Sequence, residues 1–292
     1  MPKISIIIPT RNRNSYLKKC LTSLINQTFK NFEVLVCDDG GTSKNTKLIA
    51  EKFNKYFPVK YFWNKDKGAM SPASARNIGW KKAQGKYLLF LDCDIILPQK
   101  SIKRLHSWFT KYSYRKTSFH VTPSARIHIK KNVPLNIIKN NLRGIDKYIV
   151  RKGNLSISTV GLFSKKIVDK IGGFDDILFV GYAHEDIEMG ARLFAFLNNK
   201  RKKLLLKVYH LDHYSNFTSR DKKPRNKLKL TRFLIKKKFE MLGFKYNIKY
   251  HPKKDLNKFT NKYYNNLLVN KVKINKISKL LYLQAKNGKI KS

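Results

Sequence analysis

Four short apolar runs constrain this chain more than any other feature. KISIII (residues 3–8), FEVLVC (32–37), VKYFW (59–63) and KYLLFLD (86–92) are rich in β-branched and aromatic residues, and each reads as a strand. Between the first two, Leu17, Cys20, Leu21, Leu24 and Ile25 keep helical spacing over about 16–27, with Ser15 placed to cap that helix. A second helix is expected near 43–56 and a third over 72–83, where Pro72 suits a first turn and Ala75, Ile78 and Gly79 face a core. Strands alternating with helices of about a dozen residues specify an α/β fold with a mostly parallel, doubly wound sheet and helices on both faces. Such sheets bind ligands beyond the carboxyl ends of their strands. Pro9-Thr10, Asp38-Asp39 and Asp92-Asp94 all fall there.

The pair Asp92 and Asp94 raises an electrostatic question. It sits inside the apolar run LFLDCDIILP (89–98). An unpaired buried carboxylate costs several kcal/mol, and two ionised neighbours repel each other, so positive charge is required beside them. On an extended strand Asp92 and Asp94 point one way and Cys93 the other; at the turn the two acids diverge. A D-x-D so placed can hold a hard divalent cation, which neutralises a bound diphosphate.

The formal charge of +45 over 292 residues asks for an acidic partner: nucleic acid, anionic lipid or acidic polysaccharide. The plain alternative is an AT-rich genome, which enriches Lys, Asn and Ile. No run approaches the roughly 18 apolar residues of a membrane span, and MPKISIIIPT reads as a strand rather than a signal peptide. Cys20, Cys37 and Cys93 lack metal-site spacing, which fits a reducing cytoplasm. For nucleic-acid binding there is no zinc spacing, no RNA-recognition aromatic motif and no basic zipper. A nucleotidyltransferase on a similar sheet would carry a Gly-rich loop after the first strand, where this chain has PTRNRNSY.

The ordered motifs SIIIPTRNR, VLVCDDGGTS, SARNIG, LFLDCD and GGFD…GYAHED resemble those of inverting family 2 glycosyltransferases of the GT-A fold. The GYAHED segment is also similar to one shared by galactosyltransferases, N-acetylgalactosaminyltransferases and chondroitin polymerases. The resemblance covers about residues 3–215. It implies a Rossmann-like GT-A sheet and a UDP-sugar donor carrying GalNAc, Gal or GlcNAc. The implied acceptor is a glycan or lipid-linked hydroxyl in bacterial surface polysaccharide or oligosaccharide synthesis. By the same resemblance Pro9, Thr10 and Arg11 border the nucleotide and Asp39 accepts from the uracil N3–H. Arg76 lies on the phosphate side, Asp92 meets the ribose, and Cys93 belongs to the same nucleotide-sugar set. Asp94 binds Mn²⁺ or Mg²⁺, with His210 in VYHLDHYSN as a second ligand and His213 in reserve. Asp186 is the base that deprotonates the acceptor, Glu185 contacts sugar hydroxyls, and Tyr182 takes the place of a sugar-stacking tryptophan. Asp38 reads equally as a turn residue, and Arg76 equally as a salt-bridge partner of Asp39 or Asp92.

These expectations divide the chain into a catalytic domain over 1–219 and a basic helical extension over 220–292. The domain has a nucleotide-binding half (1–112) and an acceptor-binding half (113–219), less regular over about 113–183. The latter holds a strand-like SFHVTP, a helix from about His184 and a strand over 203–211. The extension carries 23 lysines and arginines against three acidic residues. Within it, residues 225–245 have the pattern of a basic amphipathic helix. That pattern fits docking on an anionic inner membrane face or packing on the catalytic domain. The segment 65–74 is placed to cover a bound donor.

Overall fold

The computed structural model describes residues 1–65, 71–113, 119–153, 160–178, 184–197, 200–212, 222–243 and 271–286. The four apolar runs are strands β1 (Ile4–Thr10), β2 (Phe32–Asp38), β3 (Val59–Trp63) and β4 (Tyr87–Leu91). They lie in the order β3-β2-β1-β4, all parallel. Every residue of β1, β2 and β4 is buried, which is why these strands read as unbroken apolar runs rather than alternating patterns.

Helices cover both faces. Ile4, Ile6 and Ile8 pack on α1 (Asn14–Ile25), α2 (Asn45–Lys52) and α4 (Ser101–Ser113). Ile7, Leu35 and Cys37 pack on α3 (Pro72–Lys82), α6 (Lys165–Ile171) and α7 (Glu185–Leu197). At Gly79 the third helix presses on the sheet: a Cβ there would lie 2.4 Å from Ile7 Cγ2 and 2.9 Å from Cys37 Sγ. Trp80 rather than Ile78 completes the buried face of α3.

Past β4 the parallel run stops. β8 (Val160–Ser164) joins β4 antiparallel, and β6 (Phe119–Ile129) joins β8 antiparallel. β9 (Lys200–Leu211) then runs parallel to β6, and the two-residue β5 (Ile95–Ile96) pairs antiparallel with its end. β7 (Ile149–Gly153) pairs with β6 off this path, and α5 (Leu135–Lys139) precedes it. The half expected to be irregular therefore carries an 11-residue strand, β6, at its centre.

Two local expectations differ. The first helix begins at Asn14, with Arg13 at the cap position and no side-chain cap. Asn14 instead bonds the following loop, donating to Ser43 Oγ (2.7 Å) and accepting from Thr46 Oγ1 (2.9 Å). The second helix stops at Lys52 rather than near 56.

The basic extension supplies α8 (Lys222–Met241) and α9 (Lys271–Lys286). Leu234, Ile235, Phe239 and Leu242 are buried, as are Ile277 and Leu281 of α9. The side of α8 that carries Leu234, Ile235 and Phe239 thus packs on protein. The expected boundary at 219/220 falls outside the described residues.

Candidate functional site

The carboxyl ends of β1 and β2 are locked together. The Asp39 amide donates to the Thr10 carbonyl at 2.8 Å, and the Arg11 guanidinium donates to the Asp39 carbonyl at 2.7 Å. The Asp39 carboxylate accepts the Ser71 amide, which ties the start of α3 to this rim. Pro9 and Thr10 are buried beneath it. Asp38 fixes the turn, accepting from the Gly41 amide at 2.8 Å and the Tyr61 hydroxyl at 3.0 Å.

Arg76 supplies the positive charge that the D-x-D run requires. It projects from α3, is 4% exposed, and donates to Asp92 Oδ1 at 2.8 Å and Glu185 Oε1 at 2.7 Å. Asp39 is not its partner. One guanidinium thus joins the end of β4 to the first turn of α7, Arg76 and Glu185 lying 109 residues apart in the chain. Burial disfavours its charge, but the two carboxylates outweigh that and hold Arg76 ionised. Burial pushes the Glu185 carboxyl up to about 7, against the pull of Arg76 and with Asp186 adding to the rise. Asp92 moves in the same direction for the same reasons, with Asp94 adding to its rise. Glu185 Oε2 and Arg76 Nε are buried without a hydrogen-bond partner among the described residues. Asp186 is half-buried in the same first turn. His184, just before it, holds a φ of +80°, a conformation uncommon for a residue with a side chain.

Asp94 turns the other way. Its Oδ2 accepts from Arg13 at 2.7 Å, and its Oδ1 lies 3.6 Å from His210 Nε2. The β5–β9 pairing brings them together, since Ile95 is opposite His210 and the Leu211 amide donates to the Asp94 carbonyl at 2.9 Å. Cys93, between the two acids, packs its thiol into the core, and burial pushes that thiol up to about 12. Any contact of Cys93 with a ligand therefore runs through its main chain.

Two residues absent from the sequence-based set join this rim. His128 on β6 is opposite His210 on β9, their Nδ1 atoms 3.2 Å apart. Asp212 Oδ1 lies 3.2 Å from His128 Nδ1. His128, His210 and Asp212 bring ligand atoms within 4.8 Å of one another, a spacing that suits a metal ion. Burial, Arg126 and Arg151 push the His128 ring's pKa downward, against the pull of Asp212. The position of His128 in SARIHIK carries no signal by itself; only the β6–β9 register reveals its neighbour. Tyr182, His213 and residues 66–70 of the expected covering segment lie outside the described residues.

α7 is anchored from behind. Glu188 and Arg192, two and six residues beyond Asp186, pair at 2.6 Å, and Arg192 also donates to the Ile171 and Gly173 carbonyls. Lys238 of α8 reaches Glu188 and Asp175, and Ser278 of α9 donates to Asp175 at 2.7 Å.

A family model described as glycosyl transferase family 2 matches residues 5–171. A chondroitin synthase of Pasteurella multocida is 30% identical in an alignment of 231 positions that covers 66% of this chain and 23% of that protein. The chain spans at most 41% of the curated relatives it first matches. Among solved structures, S. aureus TarS 1–349 in complex with UDP has a TM-score of 0.55 at 15% identity, covering 98% of this chain and 92% of that one. GalNAc-T7 with UDP, GalNAc and Mn²⁺ has a TM-score of 0.56 at 16% identity, covering 82% of this chain and 50% of that one. At these identities the likeness is one of fold.

Proposed function

The chain belongs to glycosyl transferase family 2, and from that premise we propose that it transfers a sugar from a UDP-sugar to a hydroxyl with inversion. The observation that carries this is the Arg76 bridge, which puts the D-x-D strand end and the Glu185-Asp186 helix start at one place. Donor and acceptor chemistry need that adjacency.

In this reading Pro9, Thr10, Arg11 and Asp39 border the base, Asp92 meets the ribose, and the main chain at Cys93 lies alongside. Arg76 holds the acids in place and faces the phosphates; its charge persists at any working pH. Asp186 takes the proton from the acceptor hydroxyl as that oxygen attacks the anomeric carbon on the face opposite the leaving UDP. Glu185 offers its buried second oxygen to a sugar hydroxyl. Tyr182 stacks on a sugar face.

The residues fit a divalent cation: a carboxylate oxygen and an imidazole nitrogen face each other at 3.6 Å, backed by a second imidazole and a second carboxylate. Asp94 and His210 would hold it, and this N/O donor set suits Mn²⁺ better than Mg²⁺. When bound, such an ion supplies positive charge against the diphosphate of the leaving group. GalNAc, Gal and GlcNAc are the donor sugars in view, and the acceptor is a glycan or lipid-linked glycan of surface polysaccharide synthesis. The chondroitin synthase relative supports a polysaccharide product. A cytoplasmic site at the inner membrane face belongs to the same proposal. Exposed Arg232, Lys236, Lys237, Lys276 and Lys279 supply a cationic surface for it. Among the described residues no helix is long and apolar enough to cross a membrane.

The test is a panel of UDP-sugars with Mn²⁺, scored for UDP release and transfer by the wild type and Asp94→Ala. One donor should turn over with the wild type and drop by about 10²-fold or more in the variant. Equal turnover by both, or none with any donor, overturns the reading.

A further inference from the structure

The two ring nitrogens of His210 face different groups. Nε2 is 3.6 Å from Asp94 Oδ1, while Nδ1 is 3.2 Å from His128 Nδ1. The arrangement is built by the sheet rather than by side-chain chance. His128 and His210 are register partners on parallel strands, and their rings meet edge to face with centroids 4.7 Å apart. Asp212 closes the line from the far side, and its own amide donates to the Ile129 carbonyl at 2.6 Å. Arg151 lies 3.6 Å from the same Asp212 oxygen.

A neutral imidazole carries one proton, so ligation through one nitrogen obliges the other to be the N–H. Ligating histidines almost always give that N–H to a partner, which fixes ring orientation and tautomer. If His210 offers Nε2 to a cation beside Asp94, its Nδ1–H needs an acceptor, and His128 Nδ1 stands where one is required. We propose that His128 is a positioning residue that holds His210 with its Nε2 lone pair turned toward the cation site at Asp94, against the competing pull of Asp212 on the same His128 nitrogen. This rests on the reading of Asp94 and His210 as a cation pair.

The contact has two exclusive states. His128 Nδ1 bears either a lone pair or a proton. With a lone pair it accepts from His210 Nδ1, and His210 Nε2 is bare. With a proton it donates to Asp212 Oδ1 and can no longer accept from His210 Nδ1. The His210 proton then sits on Nε2, facing Asp94, and blocks ligation. Cation binding selects the first state, and Asp212 favours the second. His128 therefore sets how tightly the site takes an ion, without touching it.

The full chain is titrated with Mn²⁺ in the absence of donor, and free Mn²⁺ is read by electron paramagnetic resonance. His128→Phe keeps a ring and removes the acceptor; its affinity should fall by about 10–100-fold. His128→Asn places an amide oxygen near the lost Nδ1 and should keep most of the affinity. Unchanged affinity in His128→Phe, or equal losses in both variants, overturns the proposal. Wild type loaded with Mg²⁺ gives a readout that needs no variant: in the ¹⁵N-histidine spectrum His210 should be protonated on Nδ1, and protonation on Nε2 overturns the proposal. Full-affinity Mn²⁺ binding by Asp94→Ala sinks the cation pair itself and this role with it. Binding that needs Asp94 but ignores His128 sinks this role alone.

Discussion

Lys238 Nζ lies 2.6 Å from a carboxylate oxygen of Glu188, with none of its side chain exposed. The same nitrogen is 2.6 Å from Asp175 Oδ2. Lys236 and Lys237 beside it are exposed, whereas this one is a clamp between the extension and α7, the helix that begins with Glu185 and Asp186. Removing one partner of a buried ion pair strands the other. Lys238→Met should therefore lose about 3–5 kcal/mol of stability, read by urea unfolding. A loss below about 1 kcal/mol would mean that the clamp does not bear on folding.

Asp175 gives the same cluster a pH dependence. Burial alone would raise its carboxyl, but Lys238, the Leu178 amide and Ser278 bring it down to about 2 from an ordinary 3.8. A carboxyl depressed on folding adds stability that is present above its unfolded value and lost as pH falls through the folded one. That contribution, about 2 kcal/mol by the conversion of a pKa difference, should disappear between about pH 4 and pH 2. Acid unfolding of Asp175→Asn, compared with the wild type, should show a flatter decline over that window.

Gly79 tests the contact between α3 and the sheet. A methyl group there meets Ile7 Cγ2 at 2.4 Å and Cys37 Sγ at 2.9 Å, inside a core with no room to yield. Gly79→Ala gains helix propensity of about 1 kcal/mol yet should be destabilised overall, since overpacking costs about 1–3 kcal/mol. The shift of α3 would carry Arg76 with it. A melting temperature at or above wild type would contradict the close approach.

What could be read from the sequence followed physical locality. β1, β2 and β4 announce themselves because a strand buried on both faces needs only its own apolar run, and the polar residues at their ends are adjacent in sequence to those runs. The Asp92–Arg76 contact was open as one of two alternatives, whereas its second arm to Glu185 depends on α7 docking over β4. His128 was invisible because its significance lies in the register of β6 with β9, 82 residues away. Lys238 carries no mark in the sequence, since nothing in a lysine-rich helix says which lysine meets Asp175 and Glu188. The Ser15 cap fails for a related reason: the Asn14 side chain bonds Ser43 and Thr46, and the helix starts two residues earlier than the local rule places it.

Glu185 carries the last prediction. Burial raises its carboxyl to about 7 from an ordinary 4.5, the guanidinium of Arg76 pulling against that rise and Asp186 adding to it. In the unfolded chain it ionises first, so between about pH 4.5 and 7 the folded state binds the extra proton. Stability must then fall as pH rises through that window, with a slope of at most about 1.4 kcal/mol per pH unit from this group. The sign is opposite to that for Asp175, because one acid is raised on folding and the other depressed. Glu185→Gln removes the ionisation, and its unfolding free energy should not fall across the same window. Arg76→Lys should steepen the wild-type fall near neutrality, because one ammonium cannot span Asp92 and Glu185 as the guanidinium fork does. Urea titrations of the three proteins at half-unit pH intervals decide it: parallel curves for wild type and Glu185→Gln would show that Glu185 is ionised throughout and that Arg76 outweighs burial.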